Sequence, residues 1–447
     1  MKPIAPPQRR FLFLQGPAGP VFWLLGQALE ARGCTVHRIN LNGGDRNDWP
    51  GPADDYLGLP SRWPLFVDRY LRTHGITDLI LFGDCRPMHA AARGMAKLRG
   101  VNVHVLEEGY IRPDWMTFEP DGVNGHSTLS RDARWLLDQA RTLPPLPNLP
   151  PVTASFKRRA RDGYHYYTNV ALGRFRFLLY KSHRPESPIV EGLGWLKRFA
   201  LAKRRARQTA EALATIAGKP YYVLPLQLSA DYQIRIHSPF EDMQSAAEYM
   251  MESFARHAPV DSYLVVKEHP LDSSFFNWRG FILKKARALG LSDRILHLDV
   301  CDLAALSIGS KGMVCVNSTS GTLALSAGTP VMVLGEAIYN IAGITHTGQL
   351  DEFWTAPQPP RPEIYDAFKR VLKSAASLKK MGWRTSECGI RGWLVRDHQL
   401  GGEGKQRPDD GRRSWKMGAE SWGMRKIPVA RAEVGGMYGS FMFGRKL

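Results

Sequence analysis

Twice along this chain, short apolar and β-branched runs alternate with helical stretches that close on a glycine, a rhythm that few folds accommodate. It is the pattern of successive βα units laid into a parallel sheet. In the first block it predicts strands at 11–14, 35–41, 77–82 and 101–106, with helices over 20–32, 62–74 and 87–98. Gly33, Gly75 and Gly100 stand just past those helices, where a left-handed backbone ends a helix without steric cost. The second block begins at Tyr221, with strands expected at 222–228, 262–267, 294–298, 312–316 and 330–334. Helices are expected between them over 239–257, 276–289, 303–308 and 321–327. A chain of 447 residues is too long for a single core, so each block is read as its own α/β domain.

Several classes are excluded. With 44% hydrophobic and 23% charged residues the chain is neither largely disordered nor fibrous. Cys34, Cys85, Cys301, Cys315 and Cys388 form no C-x-x-C pair, which argues against a disulfide framework or zinc knuckle and for a reducing compartment. No apolar run approaches the roughly 20 residues needed to cross a bilayer. Arg9-Arg10 followed by Phe11-Leu12-Phe13-Leu14 has the outline of a signal peptide, but Gln15-Gly16-Pro17 interrupts it at once, and the segment is read as a strand.

The net charge of +18 is unevenly placed. Between Lys157 and Arg207 there are fourteen Lys or Arg and three acids, interleaved with Tyr164, Tyr166, Tyr167, Phe175, Phe177, Tyr180, Trp195 and Phe199. Such a stretch suits an anionic headgroup surface, with Lys203, Arg204 and Arg205 as contact residues, or a solvated linker. Beyond about residue 385 the sequence loses any sustained period, and a poorly ordered tail is expected.

Candidate chemistry gathers at predicted strand ends, where open α/β sheets bind ligands. Lys267-Glu268-His269-Pro270 ends one strand, and Asn317-Ser318-Thr319-Ser320-Gly321 ends another and enters a helix. An anion held there would meet hydroxyls, backbone N–H groups, His269 and Lys267, although Ser318 also suits a plain helix cap. Glu107-Glu108-Gly109-Tyr110 offers a pair of carboxylates for acid/base work, or a solvated pair. Asp231 follows Gln227 beyond a strand and precedes His237, which suits a nucleophile or a hydroxyl ligand as well as an ordinary loop residue. Gln15, Gly16, Asn42, Asp45, Arg112, Gln227 and His237 complete the candidate cleft.

Taken in order, Phe13-Leu14-Gln15-Gly16-Pro17, Asn42-Gly43-Gly44-Asp45, Leu81-Phe82-Gly83-Asp84-Cys85-Arg86-Pro87, Glu107 to Trp115 and Val123-Asn124-Gly125-His126-Ser127 resemble the capsule polysaccharide synthesis proteins of the KpsS/LipB type. Pro225-Leu226-Gln227, Asp231, His237-Ser238-Pro239-Phe240, Lys267 to Pro270 and Asn317 to Gly321 extend the resemblance, which runs from about residue 10 to 380. The tail does not share it.

The resemblance implies a GT-B-like α/β enzyme: two Rossmann-like domains facing a cleft, with the basic insert between them. The expected divisions are 9–150 on the acceptor side, 151–215 as membrane-proximal linker, 216–384 as the CMP-sugar-binding domain and 385–447 as tail. It further implies a cytoplasmic enzyme on the inner face of the inner membrane that moves β-Kdo from CMP-β-Kdo to a phosphatidylglycerol-type lipid. Its partners would be a Kdo-chain-extending transferase and a capsule export complex. By the same resemblance His269, Pro270, Lys267, Ser318, Thr319, Ser320 and Gly321 hold the cytidine phosphate. Donor and product are both β, so the reaction retains configuration, most simply by two inversions, with Asp231 as nucleophile and Glu108, or else Glu107, as acid/base. No cofactor or metal is expected, since a sugar nucleotide monophosphate presents no diphosphate. The alternatives are another CMP-sugar transferase of sialyltransferase type, or nucleic-acid binding through the basic segment, for which no recognised module is present.

Overall fold

The computed structural model describes residues 8–110, 116–145, 156–182, 188–228, 232–270, 272 and 276–375. The tail expected at 385–447 lies outside them. The first domain carries β1 (Arg10–Phe13), α1 (Val21–Glu30), β2 (Thr35–Asn40), α2 (Gly43–Asp48), β3 (Asp54–Asp55), α3 (Trp63–Thr73), β4 (Asp78–Phe82), α4 (Pro87–Leu98), β5 (Asn102–Glu108), β6 (Met116–Pro120) and α5 (Ala133–Arg141). Two helices cross the basic segment, α6 (Phe156–Leu172) and α7 (Pro188–Ile216). The second domain follows with β7 (Tyr221–Pro225), α8 (Tyr232–His237), α9 (Met243–His257), β8 (Tyr263–Lys267), α10 (Trp278–Ala288), β9 (Ile295–Leu298), α11 (Leu303–Ile308), β10 (Gly312–Cys315), α12 (Ser320–Ser326), β11 (Val331–Val333), α13 (Leu350–Phe353) and α14 (Pro362–Ala375).

The sheets run β3-β2-β1-β4-β5-β6 and β11-β10-β7-β8-β9. All ladders are parallel except β5 with β6, so each domain repeats the doubly wound Rossmann order. Winding reverses between β1 and β4 in one domain and between β7 and β10 in the other, which opens a crevice at those strand ends. The central strands are buried on both faces, as parallel strands covered by helices must be. In β1, Phe11 and Phe13 pack with Phe22 and Trp49, while Leu12 and Leu14 point into the opposite layer.

The sequence rhythm missed the antiparallel β6, whose Phe118 and Glu119 are buried although the segment belongs to no βα unit. The helix expected over 239–257 starts only at Met243. Asp242 caps it by accepting from Ser245 N at 2.8 Å, and α8 stands apart on the far side of Pro239. No described helix is long and apolar enough to cross a membrane.

The chain closes on itself at both scales. The terminal α14 leaves the second domain and packs on α5 of the first, where Arg370 donates to the carbonyls of Leu143 and Pro144. Inside the first sheet Asp78 is fully buried and accepts from His104 at 2.8 Å, Thr77 at 2.7 Å and Arg9. Burial works against its charge, but the hydrogen bonds from His104, Arg9 and Thr77 outweigh it and hold the carboxyl at about 2. A depressed folded pKa stabilises above the unfolded value near 4 and is lost as pH falls towards 2, a contribution of roughly 2 kcal/mol. Urea titrations at pH 5 and pH 2.5 should therefore show Asp78→Asn less stable than wild type at pH 5, with the gap narrowing at the lower pH.

Candidate functional site

At the crevice of the second domain, the loops after β7 and β10 are joined by a reciprocal amide bridge. Gln227 Nε2 donates to Asn317 Oδ1 at 2.9 Å, and Asn317 N donates to Gln227 Oε1 at 3.1 Å. The Asn317 side chain also bonds the carbonyls of Gln233 (2.8 Å) and His237 (3.3 Å), so it fixes the end of α8 as well. Gln227 is 4% exposed, and this satisfied bridge forms a rigid floor.

His237, at the end of α8, meets the first domain. Its Nε2 lies 3.3 Å from the Cys85 thiol and its Nδ1 3.5 Å from Glu336, and its ring packs edge-on against His126 at 4.6 Å. Asp84 and Arg93 stand behind His126: the Asp84 carboxylate lies 2.8 Å from its Nδ1 and accepts from Arg93 at 2.9 Å, and Arg93 itself lies 3.0 Å from the same ring nitrogen. A side chain at Gly125 would run into His237 and Glu336, so the backbone must be bare there for the domains to meet. Burial first, then the neighbouring His126 ring, lowers the His237 pKa and favours the neutral imidazole.

A second contact joins two of the sequence constellations. Thr322, in the first turn of α12, has its hydroxyl 2.8 Å from the Thr319 carbonyl of its own helix and 3.1 Å from the Tyr110 carbonyl. This sets the residues just past β5 of one domain against the start of α12 of the other, while Glu107 and Glu108 themselves end β5 and pair with β6. Glu107 is half-buried, with Oε1 accepting from Glu108 N at 3.1 Å, and Glu108 is exposed. Ser318 turns its hydroxyl to its own helix, accepting from Ser320 N at 3.1 Å, while Thr319 and Ser320 are half-buried. Gly321 serves packing: a Cβ there would strike the Tyr339 phenol, which donates to the Ser318 carbonyl. His269 and Pro270 remain half-buried at the end of β8. Asp231 and Arg112 lie outside the described residues.

Three expectations are corrected. Lys267 does not present a charge to a ligand. It is 5% exposed, its ammonium donates to the Glu268 carbonyl at 3.1 Å, and burial lowers its pKa among Cys301, Asp299 and Arg198. Arg205 is not a membrane contact, since it pairs with Glu268 (3.2 Å) and Asp299 (3.0 Å) beside the buried Arg198, which pairs with the same two acids. Burial opposes the Glu268 charge, but His297, Arg198 and Arg205 hold its carboxyl below the usual range. This network fastens α7 to the ends of β8 and β9 and leaves Lys203 and Arg204 as the exposed cations of the triplet.

The third correction concerns Gln15, Asn42 and Asp45, which are buried rather than open to the cleft. The Tyr166 hydroxyl of α6 accepts from Gln15 at 2.7 Å and Asn42 at 3.1 Å and donates to Asp45 at 3.1 Å. Gly16 lies tight against Phe22. These residues seat α6 on the loops after β1 and β2.

The residues that sequence reasoning did not single out as a site are Asp84, Cys85, Arg93, His126 and Glu336. The available signal was position: Gly83-Asp84-Cys85-Arg86 follows β4, directly across the switch point from β1, where a ligand loop is expected.

Two doubly wound parallel sheets, joined at their switch-point loops by polar groups from both, define an α/β protein of two Rossmann-like halves. Residues 77–381 match the family model described as capsule polysaccharide biosynthesis protein. The chain is 34% identical over 372 residues to the capsule polysaccharide export protein KpsS of Escherichia coli, covering 81% of this chain and 94% of that one. It is equally 34% identical over 375 residues to the capsule polysaccharide modification protein LipB of Neisseria meningitidis, covering 80% of this chain and 88% of LipB. The chain belongs to the capsule polysaccharide biosynthesis protein family. Among solved structures, KpsC of Thermosulfurimonas dismutans, titled a beta Kdo 2,7 transferase, is similar with a TM-score of 0.40 and 16% identity, over 81% of this chain and 90% of that one.

The seating of α6 can be tested directly. Tyr166→Phe leaves the amide protons of Gln15 and Asn42 only the Tyr180 hydroxyl, 3.4 Å from Gln15, removes a donor from the buried Asp45, and should cost about 1–3 kcal/mol. A lowered urea midpoint is expected, and an unchanged one would show that the hydroxyl does not secure the helix.

Proposed function

We propose that this chain is a retaining glycosyltransferase that moves β-Kdo from CMP-β-Kdo to a phosphatidylglycerol-type lipid, placing the first sugar of the linker on which capsule is built. The observation that supports this reading is the Thr322–Tyr110 contact, which sets the chain just beyond Glu107 and Glu108 against the helix that follows the hydroxyl-rich loop. A transferase needs that juxtaposition of an acid/base for the acceptor and a polar cradle for the donor.

In this reading the acceptor hydroxyl gives its proton to Glu108, with Glu107 as the alternative base. Asp231, four positions after Gln227 in the sequence, attacks the anomeric carbon, and the covalent intermediate is then taken by the acceptor with net retention. The CMP leaving group is already a phosphate anion and needs charge stabilisation rather than protonation. With Lys267 internal, His269 and the groups of Ser318, Thr319 and Ser320 are left for that role.

The surface supports a lipid acceptor. Leu172, Phe175, Leu178, Leu193, Leu196 and Phe199 are exposed, Phe175 at 88%, on the same two-helix segment that carries Lys203 and Arg204. Exposed apolar side chains beside cations suit an anionic membrane face, where each Lys or Arg adds about 1 kcal/mol. The reading implies a peripheral enzyme on the inner face of the inner membrane, working with a Kdo-extending transferase and an export complex.

The test is a donor screen on phosphatidylglycerol vesicles with CMP-Kdo, CMP-sialic acid and UDP-N-acetylglucosamine. CMP release coupled to a Kdo-bearing lipid is expected with CMP-Kdo alone, and turnover with another donor instead would overturn the assignment. Asp231→Ala should lower kcat by at least about 10³-fold, and full turnover would remove Asp231 from the mechanism.

A further inference from the structure

We propose that Cys85, His126 and His237 form a site for a zinc-class transition-metal dication that fastens the two domains together. One ligand atom from each lies within 4.8 Å of the others. Cys85 and His237 are 8% and 2% exposed, and the Cys85 Sγ to His237 Nε2 distance is 3.3 Å. Two donors on one tetrahedral ion, at bond lengths of roughly 2.3 Å for sulfur and 2.0 Å for nitrogen, stand about 3.5 Å apart. The Cys85–His237 pair already has that spacing, and the exposed His126 ring is the one that would move in.

The surroundings match a metal centre as well as the donors do. Asp84 lies 2.8 Å from His126 Nδ1, and Glu336 lies 3.5 Å from His237 Nδ1. At His237 a carboxylate in that position favours the tautomer that leaves Nε2, the nitrogen facing Cys85, as the metal donor, whereas at His126 the Arg93 guanidinium also lies 3.0 Å from Nδ1. On binding, the metal–sulfur bond forms as the thiol proton leaves to solvent, with no redox change. One thiolate and two imidazoles select zinc or a similar ion over magnesium or calcium, which take oxygen donors.

Three protein ligands leave a fourth position for water or an anion. Because Cys85 and His126 come from the first domain and His237 from the second, the ion would favour the closed cleft. The inference concerns the junction alone and stands apart from the identity of the sugar donor.

The full chain, stripped with chelator and dialysed against Zn(II) or Co(II), should retain close to one ion per chain by elemental analysis. The Co(II) form should show a thiolate-to-cobalt charge-transfer band in the near ultraviolet. Cys85→Ser should lose that band, and His237→Gln should weaken Zn(II) binding by at least about tenfold, with far-ultraviolet circular dichroism unchanged. If His237→Gln does not fold, Cys85→Ser decides alone. Failure to retain metal, or a band that survives in Cys85→Ser, would overturn the proposal and leave the cluster a hydrogen-bonded contact.

Discussion

The close approach of the Gly125 backbone to His237 is the contact on which the arrangement of the two domains depends. Each sheet satisfies its own backbone, but one hydrophobic cluster runs through both halves, with Leu136 and Ala140 of α5 in the same core as Phe368, Val371 and Leu372 of α14. Beside that apolar contact they share a polar junction: Cys85, His126 and Asp84 from one side, His237 and Glu336 from the other, with Thr322 at the Tyr110 carbonyl. Polar junctions of this kind specify geometry more than they add stability, because every buried donor must find its acceptor in a single relative placement. The return of α14 to α5 then ties the far end of the second domain back to the first.

The basic segment takes on two roles once folded. One share of its residues is structural: Arg198 and Arg205 neutralise Glu268 and Asp299, and Tyr166 seats α6 through three hydrogen bonds. Removing one member of such a buried ion network leaves an uncompensated charge, which is costlier than the network is favourable. The remaining share is a surface of exposed leucines, Phe175 and Phe199 with Lys203 and Arg204. The charge excess that marks the sequence is therefore partly internal, and its surface part is accompanied by apolar side chains.

Much of the fold is legible in the sequence because the central parallel strands are buried on both faces and several of the helices between them close on glycine, so the period stands out, whereas the two-residue edge strand β3 does not. Strand β6 escapes that rhythm since it pairs antiparallel and belongs to no crossover unit. The site is less legible. Glu107, Glu108 and the 317–321 loop stand out because they sit at strand ends, and the structure sets the chain just past the two carboxylates against the helix that follows the loop. Lys267 sits at a strand end too, yet its register turns it inward under α7, which strand periodicity without the partner helix does not reveal. Cys85, His126 and His237 come from three loops far apart in sequence, so only the docked domains show them as one cluster.

The account's central claim is a transfer with two inversions at one cleft, and the configuration of the product tests it most directly. Proton and carbon NMR of the Kdo-bearing lipid formed from CMP-β-Kdo should show the β anomer. An α-linked product would contradict the account, because it requires a single displacement and leaves no place for a carboxylate nucleophile.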